Sequence, residues 1–416
     1  MEKICVLGLG YIGLPTALML ALNNYDVIGV DLNDELIKNI SERQLNIVEP
    51  CIKELLGLVL MKKKLSLRTV PQEADVFIIT VQTPLKPDHT CDLSYLISAV
   101  KSILPYIKSN DLIIIESTIP PGTTLNLVKP IIEERFTIGE DVYLAYCPER
   151  VLPSKIINEM IYNDRIIGAC TNKCGEKVKK IFSSYIKGEL FITDVKTAEM
   201  AKLMENTFRD VNIALANEFT KICNKLNINA IEAINLANKH PRVNIHKPGP
   251  GVGGHCIPID PYFIIEKAPE LARIISVARE TNDNMPYYIV SKIKRIVMKV
   301  NNPKVAVLGV AYKGNVNDTR ESPALKIIEL LKAEGIKVEI YDPYVNLENA
   351  NEKRIEAVAA EADMILILTG HDDFKKIDYE KLSSQTKPII IFDTKNIIQH
   401  KSKNENIRNL GNYFDD

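Results

Sequence analysis

The stretch Lys3-Ile-Cys-Val-Leu-Gly-Leu-Gly-Tyr-Ile-Gly13 decides the fold of the first part of the chain. Its apolar beginning predicts a short buried strand, and the G-x-G-x-x-G pattern after it predicts the turn of a dinucleotide-binding βαβ unit. In such a turn Gly8 permits the tight bend and Gly10 lets a pyrophosphate approach the backbone. Gly13 lets the next helix pack closely on the strand. The sequence therefore opens with a nucleotide site.

The residues after this turn complete the pattern. Tyr11 and Ile12 lead into a predicted helix over residues 14–22, whose N-terminus would face the phosphates. Residues 26–30 predict a second strand, and Asp31 ends it, 18 residues beyond Gly13. An acidic side chain there holds the ribose hydroxyls and repels a 2′-phosphate. We therefore predict that the site takes NAD rather than NADP, with Tyr11, Ile12 and Asp31 among the cofactor-binding residues.

Length and composition set the limits of the interpretation. A chain of 416 residues predicts two or three domains, and 46% hydrophobic with 25% charged residues is ordinary for a globular protein. The net charge of -1 gives no reason to expect nucleic acid or a membrane surface as a partner. Eight scattered cysteines without a CxxC pair indicate a reducing compartment and no metal site. No apolar run is long enough to span a bilayer, and glycines interrupt the N-terminal one, so we expect a cytoplasmic protein.

Polar residues come directly after three further predicted strands, which cover residues 74–81, 111–115 and 142–146. In an open α/β sheet the carboxyl ends of the strands border the ligand crevice. The polar side chains at these ends are therefore site candidates: Thr83, Thr118 and Glu149. For each of them, a role as a cap or turn residue remains equally open.

The middle of the chain is predicted to be helical. Apolar periodicity indicates one long helix over residues 197–226, on which Lys202 and Asn206 share a face. A second helical run covers residues 273–299, and Pro286 predicts a kink or break in it. Helices of this length are suited to a dimer interface, so we expect a homodimer or a higher homo-oligomer.

The last third repeats the first. Residues 304–310, 335–342 and 362–368 match the first three strand patterns in order, at residues 3–9, 25–31 and 74–80. The glycine fingerprint is lost at the corresponding turn, so the second copy should bind a different nucleotide. Lys313 and Arg320 offer positive charges for its phosphates, and the alternative is that both are ordinary surface cations beside a turn. The predicted fold class is α/β, with two Rossmann-like parallel-sheet domains joined by a helical middle domain. The predicted boundaries are 1–195, 196–300 and 301–416.

Between the two long helical runs lies a glycine-rich loop at residues 247–262. It contains four glycines, then Cys256, and Asp260 four residues later. Neither helix nor strand tolerates that density of glycine and proline, so the loop brings its backbone close to a ligand and places the thiol in the ligand's path. The alternative is a tight turn beside an inert buried cysteine.

Taken together, these motifs resemble the UDP-glucose/GDP-mannose dehydrogenase family over nearly the whole chain. The matching segments stand in the order of the family: residues 8–15, 82–84, 116–118, 147–150, 198–206, 253–260 and 312–323. The resemblance implies an N-terminal NAD domain, a helical dimerising middle and a C-terminal UDP-sugar domain. It also implies oxidation of a sugar C6 alcohol to the acid with two NAD.

That oxidation removes two hydrides, so the intermediate aldehyde has to be held between the two steps. A thiolate that adds to it gives a thiohemiacetal, which yields the second hydride and becomes a thioester that water hydrolyses. The resemblance makes Cys256 the nucleophile, with Lys202 and Asn206 stabilising the oxyanion and Lys202 available as a base. It assigns Asp260 and Thr118 to a placed water and Glu149 to the hydrolysis.

The resemblance also implies the binding residues. Thr83, Thr118 and Arg320 join the fingerprint residues at the cofactor. The substrate-binding set is Glu149, Arg150, Lys202, Asn206, Arg242, His246, Gly253, Lys313 and Lys395. Within this set, Arg242 occupies a position at which family members often have an arginine that enters the neighbouring subunit's substrate site. Many relatives carry an arginine at the position of Lys395, and a lysine lacks the flat fork of a guanidinium.

The identity of the sugar depends on a shorter segment. Residues 240–246, together with the glycine loop after them, resemble the family members that act on UDP-N-acetyl-D-mannosamine. UDP-N-acetylglucosamine and UDP-glucose are the alternatives with the same chemistry. Two interpretations of other kinds remain: a β-hydroxyacid dehydrogenase, which removes one hydride and needs no thiolate, and a catalytically inactive protein that binds UDP-sugars.

Overall fold

The computed structural model describes residues 2–45, 49–152, 154–297, 299–346, 354–384, 390–398 and 406–412. The chain forms two compact units. The first unit comprises Met1–Glu205 with Tyr262–Pro269, and the second comprises Asn206–Pro261 with Glu270–Asp416. No helix within the described ranges is long and apolar enough to cross a bilayer.

The first unit is built on an eight-stranded sheet. Its strands are β1 Lys3–Leu7, β2 Asp26–Val30, β3 Leu65–Arg68, β4 Val76–Ile79, β5 Leu112–Ile115, β6 Tyr143–Tyr146, β7 Arg165–Ala169 and β8 Leu190–Asp194. They lie in the order β3-β2-β1-β4-β5-β6-β7-β8, and all neighbours are parallel except β6 and β7. Its helices are α1 Gly13–Leu22, α2 Asp34–Ser41, α3 Ile52–Met61, α4 Ser94–Ile103, α5 Lys129–Glu133, α6 Ile156–Tyr162 and α7 Asn172–Phe182.

The central strands of this sheet are apolar on both faces. Every residue of β4, β5 and β6 is buried, which is the condition of a parallel sheet covered by helices on both sides. The five strands predicted in this part of the chain are all present, although β4 is shorter than its predicted span. The strands β3, β7 and β8 were not predicted. In β8 three of the five residues are half-buried and two are exposed, so this strand lacks the fully buried run of β4, β5 and β6.

Two helices contribute to both units. The helix α8 runs from Val195 to Lys225, close to its predicted span. After α9 Ala230–Ala237, the helix α10 Asp260–Lys267 begins in the second unit and continues in the first. The predicted second helical run is two helices, α11 Arg273–Asp283 and α12 Met285–Val297. Asn284 separates them, directly before Met285 and Pro286, so the predicted break is confirmed.

The second unit contains a five-stranded sheet in which all neighbours are parallel. Its strands are β9 Lys304–Leu308, β10 Lys337–Tyr341, β11 Met364–Ile367, β12 Ile390–Asp393 and β13 Ile407–Asn409, in the order β10-β9-β11-β12-β13. The helices α13 Pro323–Ala333, α14 Ile355–Ala359, α15 Asp372–Lys375 and α16 Tyr379–Ser384 complete it. Separate apolar clusters pack on the two faces of the sheet. The α/β class with two parallel-sheet parts is confirmed.

The predicted repeat is visible in the backbone. Gly8 and Gly309 have φ values of +90° and +88°, which favour glycine. At both turns a strand-ending carboxylate accepts the next backbone N–H: Leu9 N donates to Asp31 at 2.9 Å and Val310 N donates to Asp342 at 2.7 Å. The copies differ beyond the turn, because α1 begins at Gly13 whereas the helix of the second copy begins only at Pro323.

Candidate active site

The glycines of the first turn differ in the space around them. A Cβ built on Gly13 would lie 1.8 Å from the Gly8 carbonyl oxygen and 2.3 Å from Thr80 Oγ1. Thr80 Oγ1 is itself held by the Leu7 and Gly8 carbonyls, at 2.9 and 2.6 Å. By contrast, a Cβ on the exposed Gly10 would meet no atom within 4 Å. Gly13 is therefore required by the fold, whereas Gly10 leaves open space at the start of α1.

Asp31 is held in place by backbone groups. Its Oδ2 accepts the Leu9 N–H, and its Oδ1 accepts the Asn33 N–H at 3.0 Å. Asn33 in turn caps α2, since its Oδ1 accepts the Leu36 N–H at 3.1 Å. The carboxylate is thus fixed beside the glycine turn without an ion pair in the part of the chain that the structure describes. Tyr11 and Ile12 are half-buried at the same turn, directly before α1.

The segments after β4 and β5 are joined by side-chain hydrogen bonds. Thr83 Oγ1 donates to the Thr118 carbonyl at 2.6 Å, and Ser117 Oγ donates to the Val81 carbonyl at 2.6 Å. Thr83 and Thr118, two candidates from different parts of the sequence, are therefore brought together at the carboxyl edge of the sheet.

Glu149 and Arg150 come directly after β6. Glu149 is buried, pairs with Arg165 and accepts the Arg150 N–H at 2.7 Å. The Arg150 guanidinium binds Glu205 at 2.6 Å and also the Asp164 carbonyl. A polar cavity of about 470 Å³ lies here, lined by Arg150, Tyr162, Asn163, Asp164 and Glu205. Arg165, which sequence reasoning missed, is the partner that holds Glu149.

In the second unit, the glycine loop ends in a helical turn that carries the cysteine. Cys256 is exposed, and its carbonyl accepts the Ile259 and Asp260 N–H groups at 3.1 and 2.8 Å. Asp260 is buried at the start of α10, where its Oδ2 accepts Asn206 Nδ2 at 2.6 Å. The turn thus fixes the backbone at Cys256, and α8 fixes the end of the turn.

Lys202 lies one helical turn before Asn206 on α8, in the first unit, and only 7% of its surface is exposed. It makes no ion pair within the described ranges of the chain. A buried ammonium group without a counter-ion is costly. The position is therefore one at which an anionic ligand group or a developing negative charge would be stabilised.

The glycines of the loop are required by close contacts with a second segment. A Cβ on Gly253 would lie 2.5 Å from the Glu321 carbonyl oxygen, and one on Gly254 would lie 2.8 Å from the Tyr312 ring. Gly254 also has φ +92°, and its N–H donates to the Arg320 carbonyl at 3.0 Å. The loop therefore packs directly on residues 312–323, a pairing that the sequence did not reveal.

A buried polar network anchors the start of the same loop. The Gly249 N–H donates to Asn217 Oδ1 at 2.9 Å, and Asn217 Nδ2 donates to Asn282 Oδ1 at 2.9 Å. Asn282 Nδ2 and Arg279 Nη1 both reach Asp210 Oδ1, at 2.8 and 2.6 Å. Sequence reasoning missed this network. Its signal on α8 was a pair of polar residues seven positions apart, Asp210 and Asn217.

Lys395 lies just after β12 and reaches the glycine loop. A Cβ built on Gly249 would lie 3.3 Å from Lys395 Nζ. Burial lowers the pKa of the Lys395 ammonium; Asp393 opposes this effect and Lys247 adds to it. Two lysines thus face one carboxylate, which already accepts the backbone N–H groups of Lys395, Ile397 and Ile398. Because the positive charges outnumber the negative one here, this place favours the binding of an anionic ligand group.

The other predicted binding residues of the second unit are more exposed. Arg320 binds both oxygens of Asp318, with Nε to Oδ1 at 2.8 Å and Nη2 to Oδ2 at 2.6 Å. Lys313 and Arg242 are exposed, and His246 is half-buried, edge-on to Phe208. Arg320 was predicted to bind the cofactor, yet it lies in the second unit, whereas the fingerprint residues lie in the first.

Comparison with known proteins identifies the family. Three sequence models of the UDP-glucose/GDP-mannose dehydrogenase family match successive parts of the chain: the NAD binding domain matches residues 2–186, the central domain 196–284 and the UDP binding domain 306–400. The chain belongs to this family. The predicted resemblance is confirmed, and NAD is the cofactor of the first domain.

Individual relatives agree over the whole length. The chain is 49% identical to a UDP-N-acetyl-D-mannosamine dehydrogenase of Methanococcus maripaludis, over 99% of this chain and 97% of the relative. It is 50% identical to the enzyme of the same name from Methanocaldococcus jannaschii, over 96% and 93% of the two chains. The solved structure of the UDP-D-ManNAc dehydrogenase of Pyrococcus horikoshii is 44% identical, with a TM-score of 0.94 over 99% of both chains.

The family membership decides between the classes of function. The chain is an NAD-dependent dehydrogenase of UDP-sugars, with an N-terminal NAD domain, a central helical domain and a C-terminal UDP domain. The matches to the NAD, central and UDP domains of this family favour it over the β-hydroxyacid dehydrogenase that the sequence had left open. The roles of single residues and the domain boundaries at 195 and 300 stay predictions.

Proposed function

We propose that the chain catalyses the four-electron, NAD-dependent oxidation of the C6 alcohol of UDP-N-acetyl-D-mannosamine to UDP-N-acetyl-D-mannosaminuronic acid. The observation that carries the proposal is the exposed Cys256 at the start of a helical turn whose other end, Asp260, is tied to Asn206 on α8. The names of the relatives that are about half identical support the choice of sugar.

The residues of the first unit fit NAD. Gly10 leaves open space at the N-terminus of α1, where backbone N–H groups favour a pyrophosphate, and Asp31 is fixed beside the same turn. Thr83 and Thr118, at the ends of adjoining strands, complete the proposed cofactor-binding set, with Arg320 added from the second unit. NAD, when bound, accepts one hydride in each of the two oxidations.

The thiol of Cys256 supplies the covalent step. As the thiolate it adds to the C6 aldehyde and forms a carbon–sulfur bond, which gives a thiohemiacetal. Loss of the second hydride leaves a thioester, and water then attacks the carbonyl carbon while the carbon–sulfur bond breaks. Lys202 and Asn206 would stabilise the oxyanion, since both are buried and one carries a positive charge.

The carboxylates of Asp260 and Glu149 would take part in proton transfer. Asp260 accepts the Asn206 amide through one oxygen, and with Thr118 we assign it to a water that takes part in proton transfer. Glu149 assists the hydrolysis, and Arg165 and the Arg150 N–H hold its two oxygens. Each of these groups is fixed by its own unit before a ligand enters, which lowers the reorganisation needed in the transition state.

The second unit would bind the nucleotide and the sugar. Gly253, whose Cβ position is filled by Glu321, Tyr312 and Pro323, would contact the ligand through its backbone. Lys395 and Lys313 would supply positive charge for the diphosphate and uridine end. His246 and Arg242 would contact the substrate, and Arg242, which is exposed, would do so from a neighbouring subunit. Glu149, Arg150, Lys202 and Asn206 complete the proposed substrate-binding set.

A homodimer would bring that arginine to a neighbour. The second-unit part of α8 carries Phe208, Leu215 and Ile222, which are 62%, 42% and 46% exposed and spaced seven residues apart. Residues at this spacing form one stripe on a helix. Exposed apolar stripes of this kind are typical of protein interfaces. We therefore propose that α8 forms the interface of a homodimer.

Steady-state kinetics on three UDP-sugars test the proposal. We expect UDP-N-acetyl-D-mannosamine to have the highest kcat/KM, UDP-N-acetylglucosamine a lower one, and UDP-glucose the lowest. A site that hydrogen-bonds the acetamide rejects a sugar without it by a factor of about 10⁴. A higher kcat/KM for UDP-N-acetylglucosamine or UDP-glucose would contradict the choice of sugar, but it would leave the thioester chemistry untouched.

A further inference from the structure

A buried cluster of charged side chains lies behind Glu149 in the first unit. Arg165, on β7, donates to Glu149 Oε2 through Nη2, and its Nη1 lies 3.9 Å from Glu116 Oε1. The side chains of Arg165 and Glu116 are 1% and 0% exposed. Glu116 comes directly after β5, and its Oε2 accepts Thr16 Oγ1 of α1 at 3.3 Å. The cluster therefore reaches from the proposed hydrolytic residue to the helix of the NAD turn.

Two other titratable groups face Arg165. Cys147 lies just after β6 and Tyr185 just after α7, and both are buried. Burial raises the pKa of each well above its ordinary value, so both remain uncharged near neutral pH. The Phe182 ring lies 5.5 Å from the guanidinium carbon and completes the surroundings. The charge balance is therefore set by one guanidinium and the two carboxyl groups of Glu149 and Glu116.

One guanidinium neutralises only one of the two carboxylates. Glu149 holds the direct ion pair, whereas Glu116 Oε1 and Arg165 Nη1 face each other with no hydrogen bond to any described residue. A second buried negative charge is costly. Burial accordingly raises the pKa of the Glu116 carboxyl to about 7; Arg165 opposes that effect and Glu149 adds to it. Glu116 therefore changes from neutral to ionised near neutral pH, at a place where it competes for Arg165.

We propose that Arg165 and Glu116 are positioning residues for Glu149. The charge of Glu116 controls how completely Arg165 neutralises the Glu149 carboxylate. The proposal rests on the proposed role of Glu149 in thioester hydrolysis. When Glu116 is neutral, Glu149 has the guanidinium to itself. When Glu116 is ionised, the guanidinium is shared and the cluster draws a proton more strongly.

The step that responds is the attack of water on the thioester. The water oxygen bonds to the carbonyl carbon, one water proton passes to Glu149, and the carbon–sulfur bond breaks to leave Cys256 as the thiolate. A cluster that attracts protons more strongly accelerates this transfer. Hydrolysis should therefore be faster when Glu116 is ionised, and its pH dependence should follow the titration of the whole cluster.

The test is the decay of the Cys256 adduct, followed by rapid quenching and mass spectrometry in the presence of NAD and UDP-N-acetyl-D-mannosamine. The wild-type decay rate should rise with pH through a midpoint near 7, the value at which Glu116 ionises. In Glu116→Gln the carboxyl is replaced by a neutral amide of the same shape. The rate should then stay at its low-pH level, up to about tenfold below wild type at high pH.

The matched control is Glu49→Gln. Glu49 is another buried glutamate of the first unit whose pKa is raised by burial, but it lies outside the cluster and accepts the Ile157 N–H. Its replacement should leave the midpoint in place. The second variant is Thr16→Val, which removes the hydroxyl that stabilises ionised Glu116. It should move the midpoint upward by about half to one pH unit, a shift that a merely structural role would not produce.

The outcomes separate this role from the proposed function. If the adduct forms but the midpoint persists in Glu116→Gln, or stays unmoved in Thr16→Val, the positioning role is overturned and the thioester chemistry stands. The Thr16 variant decides the matter alone if the glutamine variant does not fold. If the wild-type enzyme forms no adduct on Cys256 at any pH, the thioester is overturned and this role falls with it.

Discussion

The two glycines that frame the NAD turn should respond to the same substitution in opposite ways. In Gly13→Ala the new methyl carbon would lie 1.8 Å from the Gly8 carbonyl oxygen and 2.3 Å from Thr80 Oγ1. Real contacts of this kind are not shorter than 3.0 Å, so backbone atoms have to move by more than an ångström. In Gly10→Ala the methyl carbon would meet no atom within 4 Å.

The magnitudes depend on this geometry. Overpacking costs about 1–3 kcal/mol, and because the obstacle at Gly13 is backbone we expect about 3 kcal/mol. For a unit of this size that corresponds to a fall in Tm of about 6–12 °C. Gly10→Ala should change Tm by no more than about 2 °C. Its methyl group would stand where the pyrophosphate approaches, so NAD should bind at least about tenfold more weakly.

Thermal unfolding without cofactor and titration with NAD separate the two effects. Each variant serves as the control for the other, because both add one methyl group to the same turn. The reasoning is refuted if Gly10→Ala binds NAD as tightly as wild type. It is also refuted if Gly10→Ala destabilises the cofactor-free protein as much as Gly13→Ala does.

Two further predictions concern the cofactor and the assembly. Asp31→Ala should weaken NAD binding and reduce the preference for NAD over NADP, because the carboxylate that repels a 2′-phosphate is gone. If competitive titrations show an unchanged preference, other residues recognise the ribose. Asp31→Asn is the matched variant, because it keeps an acceptor for the Leu9 N–H while removing the charge. Light scattering should give about twice the 46.7 kDa mass of the chain. Phe208→Glu, on the exposed stripe, should lower the measured mass toward that of the monomer. If the variant remains a dimer, the interface lies elsewhere.

Local patterns in the sequence predicted the first strands of each sheet and the glycine turn, but they missed β3, β7, β8, β12 and β13. The strand β1 and the glycine turn were predictable because an apolar run with spaced glycines after it allows few other conformations. Asp31 was predictable because it ends the next strand. The break before Pro286 was predictable because proline cannot donate the helical hydrogen bond.

Contacts between distant parts of the sequence could not be predicted in this way. Arg165 lies 16 residues beyond Glu149, and Glu116 lies on another strand end, so only the sheet order β5-β6-β7 brings them together. The packing of Gly254 on Tyr312 likewise joins residues far apart in the chain. A pattern of residue types indicates which groups are reactive, but the partner of a buried charge is decided by topology.

The ratio of NADH formed to UDP-sugar consumed tests the central claim most directly. With UDP-N-acetyl-D-mannosamine limiting and NAD in excess, we predict two NADH per sugar and no free aldehyde, because Cys256 holds the intermediate between the two oxidations. In Cys256→Ser we predict no acid beyond a slow first oxidation. One NADH per sugar in the wild-type enzyme, or acid formed by the serine variant at the wild-type rate, would contradict the account.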